Sequence, residues 1–149
     1  MADIDTNSGV SQTGLLQVRL VSPDRMLLEG TAAAVELPSS SGYLEALYGA
    51  APLLAELGAG EVRLHGGSAD GQRFFVAWGF AEVLPERITI LAERALKPAE
   101  IDTADARQQL ERGDKLWHEA GDDAAKYDYA NQVTREAEEK IASAEGTSH

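Results

Sequence analysis

The feature that most constrains this chain is a change of hydrophobic period at Lys97-Pro98. Upstream, apolar and polar residues alternate: Leu16, Val18 and Leu20 are separated by Gln17 and Arg19, and Val35 and Leu37 flank Glu36. A period of two puts one face of an extended strand in a core and leaves the other outside. Phe74 to Phe80 is more continuously apolar, as expected of a strand covered on both faces. Turn signals punctuate the whole stretch: Ser22-Pro-Asp-Arg25, Pro38-Ser-Ser-Ser-Gly42, Gly66-Gly-Ser-Ala-Asp-Gly71 and Pro85-Glu86. Many short strands at this spacing predict a small sandwich or barrel over residues 15–96, with Asp70-Gly71 in a hairpin turn.

Downstream the period becomes helical. Asp102 or Thr103 can cap a helix whose Ala106, Leu110, Gly113, Trp117 and Ala120 recur at three and four residue steps. Gly121-Asp-Asp123 ends it, and a second helix carries Tyr127, Ala130, Thr134, Ala137 and Ile141 on one face. An αα-hairpin over residues 97–145 follows, with a seam rich in Ala that buries little area. Gly113 costs it a further ~1 kcal/mol relative to Ala. Residues 1–98 hold 12 acidic and 7 basic side chains, and the shorter remainder holds 13 and 6. Like-charge repulsion over a thin seam predicts a hairpin held by docking on the sandwich or on a partner. Residues 1–14 read as a disordered tail and 146–149 as a short tail.

Charge and composition exclude several functions. A net charge of -12 with no cluster of Lys and Arg argues against nucleic acid and against anionic lipid. The absence of Cys removes thiolate nucleophiles, disulfides and cysteine zinc sites. No signal peptide is recognisable, and no apolar run is long enough to span a bilayer, so any membrane association is expected through a partner. Nothing sets Ser39, Ser40 or Ser41 against His65 as a nucleophile and base, and no phosphate-cradling loop precedes a Lys. Asp122, Asp123 and Asp128 do not follow the spacing of a calcium loop and read as a helix-hairpin turn. In contrast, Tyr43, Leu44, Ala46, Leu47 and Tyr48 beside the Ser-rich turn form a candidate contact patch, with core packing as the alternative for some of them.

Four blocks in order resemble a known family. They are Val18-Arg-Leu-Val-Ser-Pro-Asp-Arg25, Gly42-Tyr-Leu-Glu-Ala-Leu-Tyr-Gly-Ala-Ala-Pro-Leu-Leu54, Gly60-Glu-Val-Arg-Leu64, and Trp78-Gly-Phe-Ala-Glu-Val83 with Thr89-Ile-Leu-Ala-Glu-Arg-Ala95. The second is similar to the Gly-Glu-Leu-Gly-Ile-Leu-Pro-Gly-His-Ala-Pro-Leu-Leu signature of the epsilon subunit of bacterial F-type ATP synthases. The resemblance implies an α+β chain: an N-terminal β-sandwich of about ten strands, then a C-terminal antiparallel αα-hairpin. It implies a non-catalytic rotor subunit in the central stalk that couples proton-driven rotation of the c-ring to ATP synthesis through the gamma subunit. The chain would then sit peripherally on the cytoplasmic face of the bacterial plasma membrane, held there by the complex. Ser41, Gly42, Tyr43, Leu44, Glu45 and Ala46 would face the c-ring, and Tyr48, Gly49, Ala50, Ala51, Pro52 and Leu53 the gamma subunit.

Three departures bear on those contacts, because Glu45, Tyr48 and Ala50 replace the Gly, Pro and His of the signature. Some members bind ATP on the hairpin through Ile/Leu-Asp-x-x-Arg-Ala. Here Asp105 stands where that Arg belongs and Arg107 comes two residues late, about 200° around the helix, so an ATP contact through Asp102 and Arg107 is the disfavoured alternative and no cofactor is expected. The hairpin is also expected to regulate ATP hydrolysis weakly, through the alpha and beta subunits. The rival to the rotor reading is a free-standing β-sandwich adaptor that uses the same patch for another protein.

Overall fold

The computed structural model describes residues 14–148. The segment 1–13 and His149 lie outside the described residues, and with them most of the expected N-terminal tail. Eight strands form one continuous sheet that folds over itself into a sandwich: β1 (Leu16–Ser22), β2 (Arg25–Ala32), β3 (Ala34–Ser39), β4 (Gly42–Leu47), β5 (Leu53–Glu56), β6 (Ala59–His65), β7 (Arg73–Val83) and β8 (Arg87–Leu96). A 3-10 turn at Pro98–Glu100 leads into two helices, α1 (Thr103–Glu119) and α2 (Ala124–Glu145). The expected α+β class holds, with eight strands instead of about ten.

The lower count has a physical reason. The sheet order is β2-β1-β8-β7-β6-β3-β4, and β5 lies on the same edge of β7 as β6. Leu53–Glu56 and Ala59–His65 keep one register against β7, so they are a single long strand broken at Leu57-Gly58. Opposite that break, Trp78 and Gly79 have φ of 61° and 112°, and the strands exchange Leu57 N to Gly79 O and Trp78 N to Gly58 O bonds. Long strands that bend in place stand in for pairs of short strands joined by turns. Gly79 is required here: a Cβ would lie 2.1 Å from the Leu91 carbonyl oxygen.

The bend also shifts the phase of the side chains. Phe74 and Val76 point into the core before it, and Ala81 and Val83 after it. The core joins these to Leu16, Val18 and Leu20 of β1, Val35 and Leu37 of β3, Val62 and Leu64 of β6, and Ile88 and Ile90 of β8. On the opposite face, Ala59, Phe75 and Ala77 form a second small cluster with Trp78, Leu96 and Ile101. Both faces of Phe74–Ala77 are therefore covered, but the double cover expected of the whole run to Phe80 ends at the bend, beyond which Phe80 is 52% exposed.

The helices start on aspartates. Asp102 Oδ1 accepts the Asp105 amide at 3.1 Å, and Asp123 Oδ1 accepts the Ala125 amide at 3.0 Å. Gly146 closes α2 in the left-handed region, with φ of 75°. The inward face of α1 is displaced from expectation. Ala106, Gln109, Gly113 and Ala120 are buried, Leu110 is half-buried, and Trp117 is exposed with its ring edge-on to Tyr127 at 5.3 Å. On α2 the buried set is Ala130, Val133, Glu136, Ala137 and Ser143, with Tyr127, Thr134 and Ile141 only half-buried.

Candidate functional site

Two regions carry the chemistry: the signature segment from Ser41 to Leu54, and the boundary where the hairpin meets the sandwich. In the first, β4 is the terminal strand of the sheet order and pairs on one side with β3, from Ser39↔Gly42 to Ala34↔Leu47. Alternation divides its side chains. Ser41, Gly42 and Glu45 are exposed, Tyr43 and Leu44 are half-buried, and Ala46 is buried. Leu44 packs against the main core, and the Tyr43 hydroxyl accepts the Glu61 amide at 2.8 Å.

The segment after β4 carries the chain to β5. Gly49 donates to the Pro85 carbonyl at 2.7 Å and Ala50 packs on the core, which leaves Tyr48 half-buried and Gly49, Ala51, Pro52 and Leu53 exposed. Leu47 and Leu53 are 50% and 48% exposed and Leu54 is 69% exposed. Beyond Leu54, whose partner on β7 is Glu82, lies a row that the alternation did not single out. Met26, Val21, Leu91 and Phe80 are successive cross-strand neighbours on β2, β1, β8 and β7. Met26, Leu91 and Phe80 are each half or more exposed, and an apolar strip of this kind generally marks a contact surface.

Asp102 and Arg107 are engaged elsewhere. The Asp102 carboxylate caps α1, and Arg107 pairs with Glu145 of α2 at 3.1 Å on the exposed side. His65 takes Glu36 as its partner at 2.8 Å, while Ser39 Oγ bonds to the Gly42 carbonyl and to Ser41. Among the described residues, no group of three or more His, Asp and Glu could hold a metal ion.

The hairpin boundary contains two buried carboxylates. Glu61 of β6 is fully buried on the sheet face that α2 covers. Arg73 reaches its Oε2 at 2.6 Å, Arg63 Nε its Oε1 at 3.1 Å, and the Ser143 hydroxyl of α2 donates to Oε2 at 2.6 Å. Glu136 of α2 is the second, 6% exposed. It accepts Trp78 Nε1 at 3.0 Å and Gln109 Nε2 at 3.2 Å, and pairs with Arg94 at 3.2 Å and Lys140 at 3.3 Å. Paired and hydrogen-bonded, both charges tolerate burial that would otherwise be prohibitive. Arg63 further donates to the Ser148 carbonyl at 2.5 Å, tying down the segment that follows α2. The link between the two parts is fixed by Arg25, whose guanidinium reaches both Glu100 oxygens. Those bonds, with the Lys97 amide, hold the Glu100 carboxyl down at about 2.

Comparison with known proteins decides what this architecture belongs to. Residues 15–98 match the family described as ATP synthase, Delta/Epsilon chain, beta-sandwich domain. The chain belongs to the ATP synthase epsilon chain family. The epsilon chain of Koribacter versatilis is 39% identical over 107 residues, covering 70% of this chain and 73% of that one. The epsilon chains of Granulibacter bethesdensis and Brucella anthropi are likewise 39% identical, over 101 and 106 residues. They cover 68% and 70% of this chain and 73% and 77% of their own lengths. These relatives are a non-catalytic subunit of the ATP synthase complex.

Solved structures agree on the fold. A chain of the Euglena gracilis mitochondrial ATP synthase superimposes with a TM-score of 0.72 at 19% identity, over 87% of this chain and 81% of that one. A chain of the Tetrahymena thermophila mitochondrial ATP synthase central stalk and c-ring gives 0.58 at 14% identity, over 87% and 96%. No helix among the described residues is long and apolar enough to cross a membrane.

Proposed function

We propose that this chain is the rotor subunit through which rotation of a c-ring reaches the gamma subunit of a proton-translocating ATP synthase, coupling proton flow to ATP synthesis. The observation that carries the reading is the exposed apolar surface at the passage from β4 to β5. Leu47, Leu53 and Leu54 stand out from a segment whose sequence resembles the family signature apart from Glu45, Tyr48 and Ala50. Exposed leucines of this kind gain from burial against a partner. The gamma subunit covers Tyr48, Gly49, Ala50, Ala51, Pro52 and Leu53, and its footprint continues over Leu54 and Phe80. The c-ring is met by the strand Ser41 to Ala46, where Ser41, Gly42 and Glu45 are the exposed groups.

A subunit in this position is loaded in torsion and must not yield. A continuous sheet closed over one core, with three long strands crossing the bend, suits that load because close-packed interiors transmit strain. The complex holds the chain at the cytoplasmic face of a bacterial plasma membrane, consistent with the bacterial relatives. The hairpin contributes weak regulation of hydrolysis through the alpha and beta subunits.

Purification of the tagged chain in mild detergent tests the assignment. The gamma and c subunits are expected to accompany it in fixed proportion. Recovery of the chain alone, or with a protein unrelated to the synthase, would reject the rotor reading in favour of a free-standing adaptor.

A further inference from the structure

We infer that the bend at Trp78 and Gly79 is the positioning device of the surface proposed above for gamma: it turns Leu54, Phe80 and Leu91 outward together, and Gly79 is the residue that sets their spacing. For the identity of the partner the inference rests on the rotor reading.

Three neighbouring strands reverse their facing at one level. On β7, Phe74 and Val76 face the core before the bend and Ala81 and Val83 after it. On β8 the core set passes from Ile88, Ile90 and Ala92 to Ala95, and along β5 and β6 it passes from Leu57 to Val62 and Leu64. The pairing does not slip. Ala77↔Arg94 is followed by Gly79↔Ala92 on one side of β7, and Ala77↔Ala59 by Phe80↔Glu56 on the other. A slip of one residue would also exchange the faces, but no residue is inserted, so the reversal is made by backbone conformation in place. In the central strand it is made by two consecutive residues in the left-handed region, Trp78 at φ of 61° and Gly79 at 112°.

The reversal decides which side chains a partner meets. Carried straight through, a period of two would bury Phe80 after Val76, Leu91 before Ala95 and Leu54 before Val62. Instead these three are 52%, 55% and 69% exposed, one from each strand, and the small Ala81 takes the core position opposite Ile90. Phe80 and Leu91 are direct cross-strand partners, and Leu54 stands diagonally from Phe80, opposite Glu82. Leu54 follows Leu53 in the chain, so the face is continuous with the segment assigned to gamma. Large apolar side chains turned to water together gain from burial against a partner.

Gly79 lets the two backbones meet at this face. A Cβ there would lie 2.1 Å from the Leu91 carbonyl oxygen and 3.1 Å from its carbon, beside the pair Phe80 and Leu91. Any side chain would part β7 from β8 and separate that pair. Trp78 forms the other half of the bend, in a conformation that a bulky residue adopts only where its surroundings enforce it, and its indole packs on Ala59, Phe75 and Ala77. Leu57 donates to the Gly79 carbonyl at 2.9 Å and Trp78 to the Gly58 carbonyl at 3.3 Å, which holds the third strand to the same line.

Titration of full-length variants with isolated gamma subunit, each paired with a melting curve, tests the inference. Gly79→Ala is expected to weaken binding at least about tenfold. Gly71→Ala is the control: it also puts a methyl on a left-handed glycine, at φ of 81°, but at the far end of β7 with nothing within 4 Å of the added carbon. It should lower the melting temperature and leave affinity within about twofold of the parent. Leu91→Ser, at an exposed side chain that leaves the fold intact, should weaken binding at least about tenfold with melting unchanged, and it decides the matter where Gly79→Ala does not fold. Parental affinity in Leu91→Ser would overturn the inference, because the face would then not meet gamma. Equal losses in Gly79→Ala and Gly71→Ala would overturn it too, since stability alone would account for both. In each of those cases the parent chain still binds gamma, whereas a parent chain that does not bind rejects the rotor reading itself.

Discussion

At the scale of residues, the boundary between sandwich and hairpin is held by side chains whose partners lie far apart in sequence. Arg25 and Glu100 pair across 75 positions at an exposed site. The hydrogen bonds from Arg25, then the Lys97 amide, lower the Glu100 carboxyl from 4.5 to about 2. A carboxyl depressed in the folded state adds stability that is complete above its unfolded value and is lost as pH falls from 4.5 toward about 2. A carbon-detected titration of Glu100 should therefore show a midpoint near 2, and Arg25→Gln should move it back toward the ordinary range. An unmoved midpoint in the variant would remove Arg25 as the cause. Local sequence gives no sign of this pairing. Glu61 was equally hidden: alternation in Glu61-Val-Arg-Leu64 sends Val62 and Leu64 to the core and Glu61 to the other face, and only the arriving helix makes that face an interior.

At the scale of elements, the periods were legible and their details were not. The change at Lys97-Pro98 and a cap at Asp102 could be read because each rests on near neighbours, whereas the double cover expected from Phe74 to Phe80 holds only as far as Ala77, the bend at Trp78 and Gly79 turning Phe80 outward. The phase of α1 could not, because Gln109 is buried for its bonds to Val133 and Glu136 on another helix, and apolar spacing alone favours Leu110. Gly113 reads as a weak point of the helix by propensity. It is where α1 and α2 touch: a Cβ would lie 2.3 Å from Thr134 Oγ1 and 3.1 Å from the Thr134 amide nitrogen. Gly113→Ala, which propensity favours by ~1 kcal/mol, should instead destabilise the hairpin by about 1–3 kcal/mol through overpacking. Loss of helical circular dichroism at lower denaturant than in the parent chain would bear this out. A gain in stability would show that the helices can shift to admit the methyl.

At the scale of the whole molecule, the sandwich and hairpin differ in charge and in how they are secured. The helical part carries 13 acidic and 6 basic residues, so extension toward an acidic partner surface meets repulsion. The Ala-rich seam alone would make release cheap, but the boundary adds the paired groups around Glu61 and Glu136. On the weak regulation proposed above, a hairpin without an attractive destination, and fastened where it lies, is expected to leave an extended state unpopulated. Deleting everything after Pro98 should raise hydrolysis by the assembled enzyme less than about twofold. A rise of about tenfold would overturn the weak regulation proposed above. Four sequence blocks in order made the family legible, yet the apolar row from Met26 to Phe80 became visible only once four strands were in register.

The central claim is that the surface around β4 and β5 is where the rotor is gripped, and calorimetric titration of the full chain with isolated gamma subunit tests it most directly. Leu47→Asp and Tyr48→Asp each place a charge where a packed contact would strip its water. Each should weaken binding by about 2–4 kcal/mol while the chain's own melting changes little for the exposed Leu47. Tight binding by the parent chain with that loss in both variants is the predicted result. Unchanged affinity in both would contradict the assignment of this surface to gamma.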